Sequence, residues 1–287
     1  MSFFDPLKRR RSHQDAGRPP AAEDSPKSTI LKTIPVCAVP GFVCYVDLLG
    51  FSSFTLRSTL QDSIDDFAVV RSILLQSAVL ISQDNGYLQD KESMAKYALN
   101  PFDTAVEMPF RYIMASDSIF YWGMDTVRKL IITMKSVAFS LYMMALRQSR
   151  FARGSVARGR PMINPLAGIY FGKPIVEAVT LEREMAAPGV VIPLQCLTDD
   201  ERLEVIDHLP YFVPTNYRLK NGKTMPCLYV NWVYDYVRRK EIRGLDELAR
   251  QFATDRFFPE KSGQLIEFLR DNLDTFPFPV LGKGSGA

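Results

Sequence analysis

Two aspartates lie where apolar, strand-like runs of the chain end: Asp47 in Tyr45-Val-Asp-Leu-Leu-Gly-Phe-Ser-Ser-Phe, and Asp117 in Ala115-Ser-Asp-Ser. Carboxylates presented at the edge of a sheet can share hard divalent cations through oxygen. Phosphoryl transfer uses such a pair, one cation activating the attacking oxygen and the other neutralising charge on the phosphates and leaving group. Gly50, Phe51, Ser52 and Ser53 follow the first aspartate and lead through a tight turn into a helix. Backbone N–H groups at the start of a helix bind phosphate well. Taken singly, each feature is ordinary: an aspartate at a strand end commonly caps or turns the chain, and a glycine turn is commonly only a turn. Their order and setting select the reading.

The elements that must hold these residues are legible as patterns. Val43 to Leu49 is an apolar β-type run ending in Gly50, after which Ser52 or Ser53 can cap a helix through Phe67, Val70, Ile73, Leu74, Ser77, Ala78 and Ile81. From about residue 83 to 109 the chain is polar and irregular, an insertion or long loop. Phe110 to Ala115 and Ser118 to Trp122 predict a hairpin with Ser116-Asp117 at its tip. There follow a helix from about Asp125 to Ser149, a strand over 151–159, and a turn region with Asn164, Pro165 and Gly168. A helix from about Pro174 to Met185, with Pro174 in its first turn, and a strand over 190–194 complete the set. This order predicts a mixed α/β (α+β) layer structure, with helices covering a largely antiparallel sheet. Residues from Asp199 onward are expected to be helical and loop segments, with Leu228 to Trp232 as one more strand. The expected organisation is therefore an arm over 1–35, a catalytic domain over 36–198 and a C-terminal helical extension over 199–287 packed on the core.

Bulk properties remove several function classes. Of 287 residues, 47% are hydrophobic and 23% charged, enough to bury a real core. The net charge of +3 owes much to Lys8, Arg9, Arg10 and Arg11, so a basic nucleic-acid-binding face is not indicated. Cys37, Cys44, Cys196 and Cys227 are scattered without a CxxC pair and away from His13 and His208, which argues against a zinc site and for reduced thiols in a cytosolic compartment. The same scarcity of histidine argues against a Ser-His-Asp hydrolase. The most apolar stretch, Leu130 to Leu146, is interrupted by Lys135 and hydroxyl residues and is expected as a buried helix, not a membrane span.

Four motifs in order resemble those of the class III nucleotide cyclases. Asp47 to Ser53 is similar to the family's first metal motif, and Ala115-Ser-Asp-Ser to the second. Arg153-Gly-Ser-Val-Ala-Arg-Gly is similar to its Arg-Gly strand, and Tyr170-Phe-Gly-Lys-Pro to the start of its Trp-Gly-Lys-Thr helix. The resemblance covers roughly Val43 to Pro193. It implies that Asp47 and Asp117 hold two divalent ions, Mn²⁺ or Mg²⁺, with the Leu48 carbonyl as auxiliary ligand. It implies further that Gly50, Phe51, Ser52 and Ser53 cradle a triphosphate, and that two chains form a homodimer with the site at their interface.

The departures narrow the resemblance. Ile113 and Ile169 stand where purine cyclases place base-reading polar residues, and Val176 and Thr180 where the family places its catalytic Asn and Arg. Arg153, Arg158 and Arg183 are the candidates for the missing cation, with structural ion pairing as the plainer role of each. With both aspartates kept and the purine readers replaced, the chain resembles the pyrimidine cyclases of bacterial Pycsar antiphage defence. That likeness implies cyclisation of UTP or CTP to cUMP or cCMP in a bacterial cytoplasm, read by a separate effector. Arg111 and Tyr112 are candidate contacts to a smaller base. The alternatives are a catalytically inactive nucleotide-binding scaffold, a purine nucleotide cyclase, and a diguanylate-cyclase or polymerase-type palm, whose hairpin normally carries adjacent acidic residues where this one has only Asp117.

Overall fold

The computed structural model describes residues 40–99, 106–165 and 168–276, and of residues 52–54 only the backbone. The chain divides into two compact units, Met1–Pro35 and Val36–Ala287, and every described residue belongs to the second. The expected arm over 1–35 lies outside the described residues.

β1 (Gly41–Leu48) forms from an unbroken run rich in β-branched and aromatic residues. Where one long helix is expected after it, there are two: α1 (Phe51–Arg57) and α2 (Leu60–Asp84). The break falls at Thr59, whose hydroxyl accepts from the Asp62 N–H while the Asp62 carboxylate accepts from the Thr59 N–H. That reciprocal capping box starts α2 at Leu60, so neither Ser52 nor Ser53 is its cap. Within the stretch read as a loop, α3 (Lys91–Leu99) forms behind Asp90, whose carboxylate accepts from the N–H and hydroxyl of Ser93.

The predicted hairpin is present as β2 (Arg111–Ala115) and β3 (Ser118–Met124), turning at Ser116, which adopts a left-handed φ of 59°. α4 (Val127–Gln148) follows, capped by Thr126. It is long and apolar enough to cross a membrane, but two-thirds of its apolar window is buried inside the protein. Two of its buried hydroxyls are satisfied within the helix: Thr133 donates to the Lys129 carbonyl and Ser140 to that of Ser136. β4 (Ala152–Gly159) comes next, then a small ribbon of β5 (Met162–Asn164) and β6 (Ile169–Phe171), which the sequence pattern showed only as a turn region. α5 (Lys173–Glu184) and β7 (Gly189–Pro193) lead to α6 (Asp199–Ile206).

The last third of the chain is not only helical. β8 (Phe212–Arg218) and β9 (Thr224–Val230) precede α7 (Val233–Arg239), α8 (Leu245–Thr254) and α9 (Pro259–Asp271). Both strands join a seven-stranded sheet of order β2-β3-β1-β4-β7-β9-β8, so residues on either side of Asp199 share one sheet. All pairings are antiparallel except β4 with β7. The expected architecture, a mixed and mainly antiparallel sheet with helices packed on it, is the one observed.

The two faces of the sheet are covered unequally. On one, Phe42, Cys44, Val46 and Leu48 of β1 enter a large core with α2, α4 and the helices of the last third. On the other, a small cluster of Val43, Trp122, Ala157, Ile163, Ile175 and Ala178 lies under α5. The candidate site occupies this second face, beside the C-terminal end of α5.

Candidate functional site

Residues directly opposite in adjacent strands project to the same face of a sheet. Asp47 of β1 lies opposite Ser118 of β3 on one side and Arg153 of β4 on the other. The row across the sheet therefore reads Ser118, Asp47, Arg153, with Asp117 next to Ser118 at the hairpin tip. The next row is Phe120, Tyr45, Ser155. The Leu48 N–H donates to the Asp117 carbonyl at 2.8 Å and the Leu49 N–H to the Phe151 carbonyl at 2.9 Å. The chain leaving Asp47 is thus pinned on both sides, and the turn that carries Asp117 lies beside it, close enough for the Asp117 charge to act on the Asp47 carboxyl.

Their electrostatics fit a cation. Asp47 is half-buried, and its carboxyl is pushed up to about 7, first by burial and then by the negative charges of Glu182 and Asp117; Arg153 and Arg183 act in the opposite sense. A carboxylate this reluctant to ionise alone gains most from a divalent ion placed against it. Oxygen donors of this kind suit Mg²⁺ or Mn²⁺, which keep much of their coordination for water and phosphate oxygens. Among the described residues no group of three or more His, Cys, Asp or Glu side chains could hold a metal ion by itself. The remaining ligands would be backbone and substrate oxygens.

Arg153 is engaged. Its guanidinium bonds the Glu182 carboxylate, with Nε at 3.0 Å and NH2 at 2.9 Å, and donates to the Met185 carbonyl at 3.3 Å. Glu182 on α5 is only 3% exposed, so this is a buried pair holding a cation beside Asp47. Arg183, one residue on, is exposed, and its charge reaches Asp47.

Two candidates stand away from Asp47. Arg158 is on the opposite face of β4, its guanidinium 4.9 Å from the Phe42 ring centroid and 2.7 Å from the Glu201 carboxylate. It stands an odd number of positions along the strand from Arg153, and strand pleating sends the two to opposite faces. Tyr112 likewise points into the large core, packed on Tyr121 at 5.9 Å, where burial pushes its phenol up to about 12. Arg111 is on the correct face but pairs with Trp122, two rows or ~13 Å along the strand from the tip. Its guanidinium donates to the Val106 carbonyl.

Gly50, with φ +81°, makes the turn from β1 into α1. The Phe51 ring lies 5.4 Å from the Arg150 guanidinium. The side chains of Ser52 and Ser53 lie outside the described residues. Beyond the aspartates the face becomes aromatic: Tyr45 donates to or accepts from Ser118 Oγ at 2.8 Å and packs on Phe120 at 4.9 Å. Phe120 in turn stacks on Tyr170 at 5.5 Å and 18°. Ile113 lies opposite Phe120, and the buried Tyr170 hydroxyl has no hydrogen-bond partner.

Two residues that the sequence reading did not single out for the site belong to its surroundings. Glu182 is the buried partner of Arg153. Lys220, in the turn between β8 and β9, donates to the Arg183 carbonyl, and its ammonium feels the charges of Arg153 and Glu182. Lys220 became visible only once β8 and β9 were known to join the sheet.

Solved cyclases are similar to this chain at low scores. The adenylyl cyclase CyaB from P. aeruginosa matches over 69% of this chain and 96% of that one, at 12% identity and a TM-score of 0.40. The guanylate cyclase domain of RhGC from Catenaria anguillulae, solved in complex with GTP, matches over 69% and 98%, at 10% identity and a TM-score of 0.39. A bacterial light-regulated adenylyl cyclase matches over 76% and 99%, at 10% identity and a TM-score of 0.42. No protein-family model matches the sequence, and no curated protein matches it. At these scores the likeness carries no argument, and the chemistry rests on the residues of this chain.

Proposed function

We propose that this protein is a metal-dependent nucleotide cyclase whose substrate is a pyrimidine triphosphate, UTP or CTP. The single observation behind this reading is that Asp47 of β1 lies opposite Ser118, the residue after Asp117, with the Leu48 N–H bonded to the Asp117 carbonyl, while burial and the charges of Glu182 and Asp117 push the Asp47 carboxyl up to about 7. Asp47 and Asp117 would hold two divalent ions, Mn²⁺ or Mg²⁺, with the Leu48 carbonyl assisting; bound there, the ions supply charge neutralisation for phosphoryl transfer.

The chain's own residues position the substrate. Gly50, Phe51, Ser52 and Ser53 cradle the triphosphate, while Arg153, Arg183 and Lys220 place positive charge beside it. Substrate positioning and electrostatics then carry the reaction. The 3′-hydroxyl oxygen of the nucleotide bonds to its own α-phosphorus, its proton leaves to solvent, and the bond to the β-phosphate breaks with release of pyrophosphate. Ile113, Phe120 and Tyr170 pack together as an apolar patch on this face, which in this reading meets a base without reading a purine edge. By the Pycsar resemblance the product, cUMP or cCMP, is a cytoplasmic second messenger in antiphage defence, read by a separate effector.

A homodimer with the site at its interface accords with Phe171, Met162 and Val176, which are 70%, 44% and 63% exposed beside this face. Incubation with Mn²⁺ and each of the four NTPs, followed by mass spectrometry, tests the reading. A cyclic pyrimidine monophosphate and pyrophosphate are expected, with specific activity that rises with protein concentration. Products from ATP or GTP alone would replace the pyrimidine assignment, and linear or dinucleotide products would replace the cyclase.

A second reading, a nucleotide-binding pseudo-cyclase, is favoured by the commitment of Arg153 to Glu182 and by Val176 and Thr180 on α5. It predicts metal-dependent nucleotide binding without pyrophosphate release.

A further inference from the structure

The exit of β1, immediately after Asp47, rests on an aromatic pair contributed by the far end of the chain. Phe257 and Phe258 lie between α8 and α9. Phe257 is 4% exposed and stacks on Phe151 at 4.3 Å and 20°. Phe151 is the residue whose carbonyl accepts the Leu49 N–H. Phe258 covers the next residue: a Cβ placed on Gly50 would collide with Phe258 Cε2 and lie 2.9 Å from Cζ. The ring therefore occupies the space that any side chain at position 50 would need, while 40% of Phe258 remains exposed.

These are two adjacent contacts on two adjacent residues of the turn. Phe257 acts through the backbone of Phe151 on Leu49, and Phe258 acts on Gly50 itself. The turn carries Asp47 three residues upstream, so its placement fixes where the first carboxylate stands relative to Asp117. Phe257 is anchored in turn by Phe252 at 4.8 Å, and the Phe258 carbonyl accepts the Lys261 and Ser262 N–H groups that begin α9.

We propose that Phe258 is a positioning residue for the cation and triphosphate site: its ring holds the Leu49-Gly50 turn so that Asp47 and the segment after it keep their geometry. The inference rests on the function proposed above and adds to it a role for the C-terminal segment. Phe258 acts in this role through Gly50.

The test is steady-state cyclase kinetics on the full chain, with circular dichroism melts of the same preparations. Phe258→Ala is expected to raise the Mn²⁺ concentration for half-maximal activity and the nucleotide KM by roughly tenfold each, with kcat changed far less. Phe258→Tyr keeps the ring and should restore both. Gly50→Ala should impair the wild-type background more than the Phe258→Ala background, because without the ring only the backbone strain at φ +81° remains. If Phe258→Ala does not fold, Phe258→Leu, which keeps part of the volume, should show the same shifts in smaller measure. A folded Phe258→Ala or Phe258→Leu protein with unchanged Mn²⁺ requirement and KM overturns the inference. So does a loss confined to kcat. Should the wild type form no cyclic product from any NTP, the functional reading fails first; calorimetric binding of UTP with Mn²⁺ then decides this one, weaker binding in Phe258→Ala sustaining it and equal binding overturning it.

Discussion

On one face of β1 the side chains of Phe42, Cys44, Val46 and Leu48 are almost wholly withdrawn from water, whereas on the other Tyr45 and Asp47 are half-exposed. The first face is packed by helices from both ends of the chain. The second is covered by α5 over Val43, Ala157, Ser155 and Arg153, and it opens at Tyr45 and Asp47. A strand rigidly clamped on its inner face can display charged groups at fixed positions on its outer one. Burial that would be ruinous for an isolated carboxylate is here shared among Asp47, Asp117, Glu182 and the cations around them.

Substitutions on the two faces should fail in different ways. The largest effect is expected from Asp47→Ala, which should cut pyrophosphate release by about a thousandfold or more, measured by coupled assay, while leaving the circular dichroism spectrum intact. Next, Glu182→Gln strands the buried Arg153 guanidinium and should cost about 3 kcal/mol in urea unfolding. Its removal also takes away the negative charge that raises Asp47 most. On the inner face, Val46→Ala should cost about 2 kcal/mol by the same method, and activity per folded molecule should remain at the wild-type level.

The smallest effect is a gain. The folded value of Asp47, about 7, lies above its unfolded one, so the stability linked to the protonated carboxyl is complete below about pH 4 and is lost as the pH rises through about 7. In a chelator at pH 8, Asp47→Asn should therefore raise the melting temperature by about 2–4 °C, and the gain should shrink at pH 5 and vanish at about pH 4. A melting curve independent of pH in the wild type would show that Asp47 is not held up.

Much of this contrast was legible in the sequence. The run from Val43 to Gly50, the hairpin with Asp117 at its tip, α4, β4 and α5 all follow from apolar periodicity and turn residues. What escaped has physical reasons. β8 contains Pro214 and Asn216, which count against a strand, yet β8 is the sheet's edge, where a missing N–H donor is tolerated. α3 is short and largely polar, stabilised by the cap at Asp90. The break between α1 and α2 was hidden because helical spacing continues across Thr59. Strand alternation already separated Arg153 from Arg158, but which of them faced Asp47 depended on the register of β4 against β1. The Glu182 contact and the approach of Lys220 join residues 29 or more positions apart in the chain, and no local pattern reports them.

The central claim is that Asp47 and Asp117 hold the same cations. Electron paramagnetic resonance titration of Mn²⁺ in the presence of UTP tests it directly, comparing the wild type with Asp47→Asn and Asp117→Asn. The account predicts bound Mn²⁺ in the wild type, with binding weakened in both variants. Undiminished binding in either variant would contradict it.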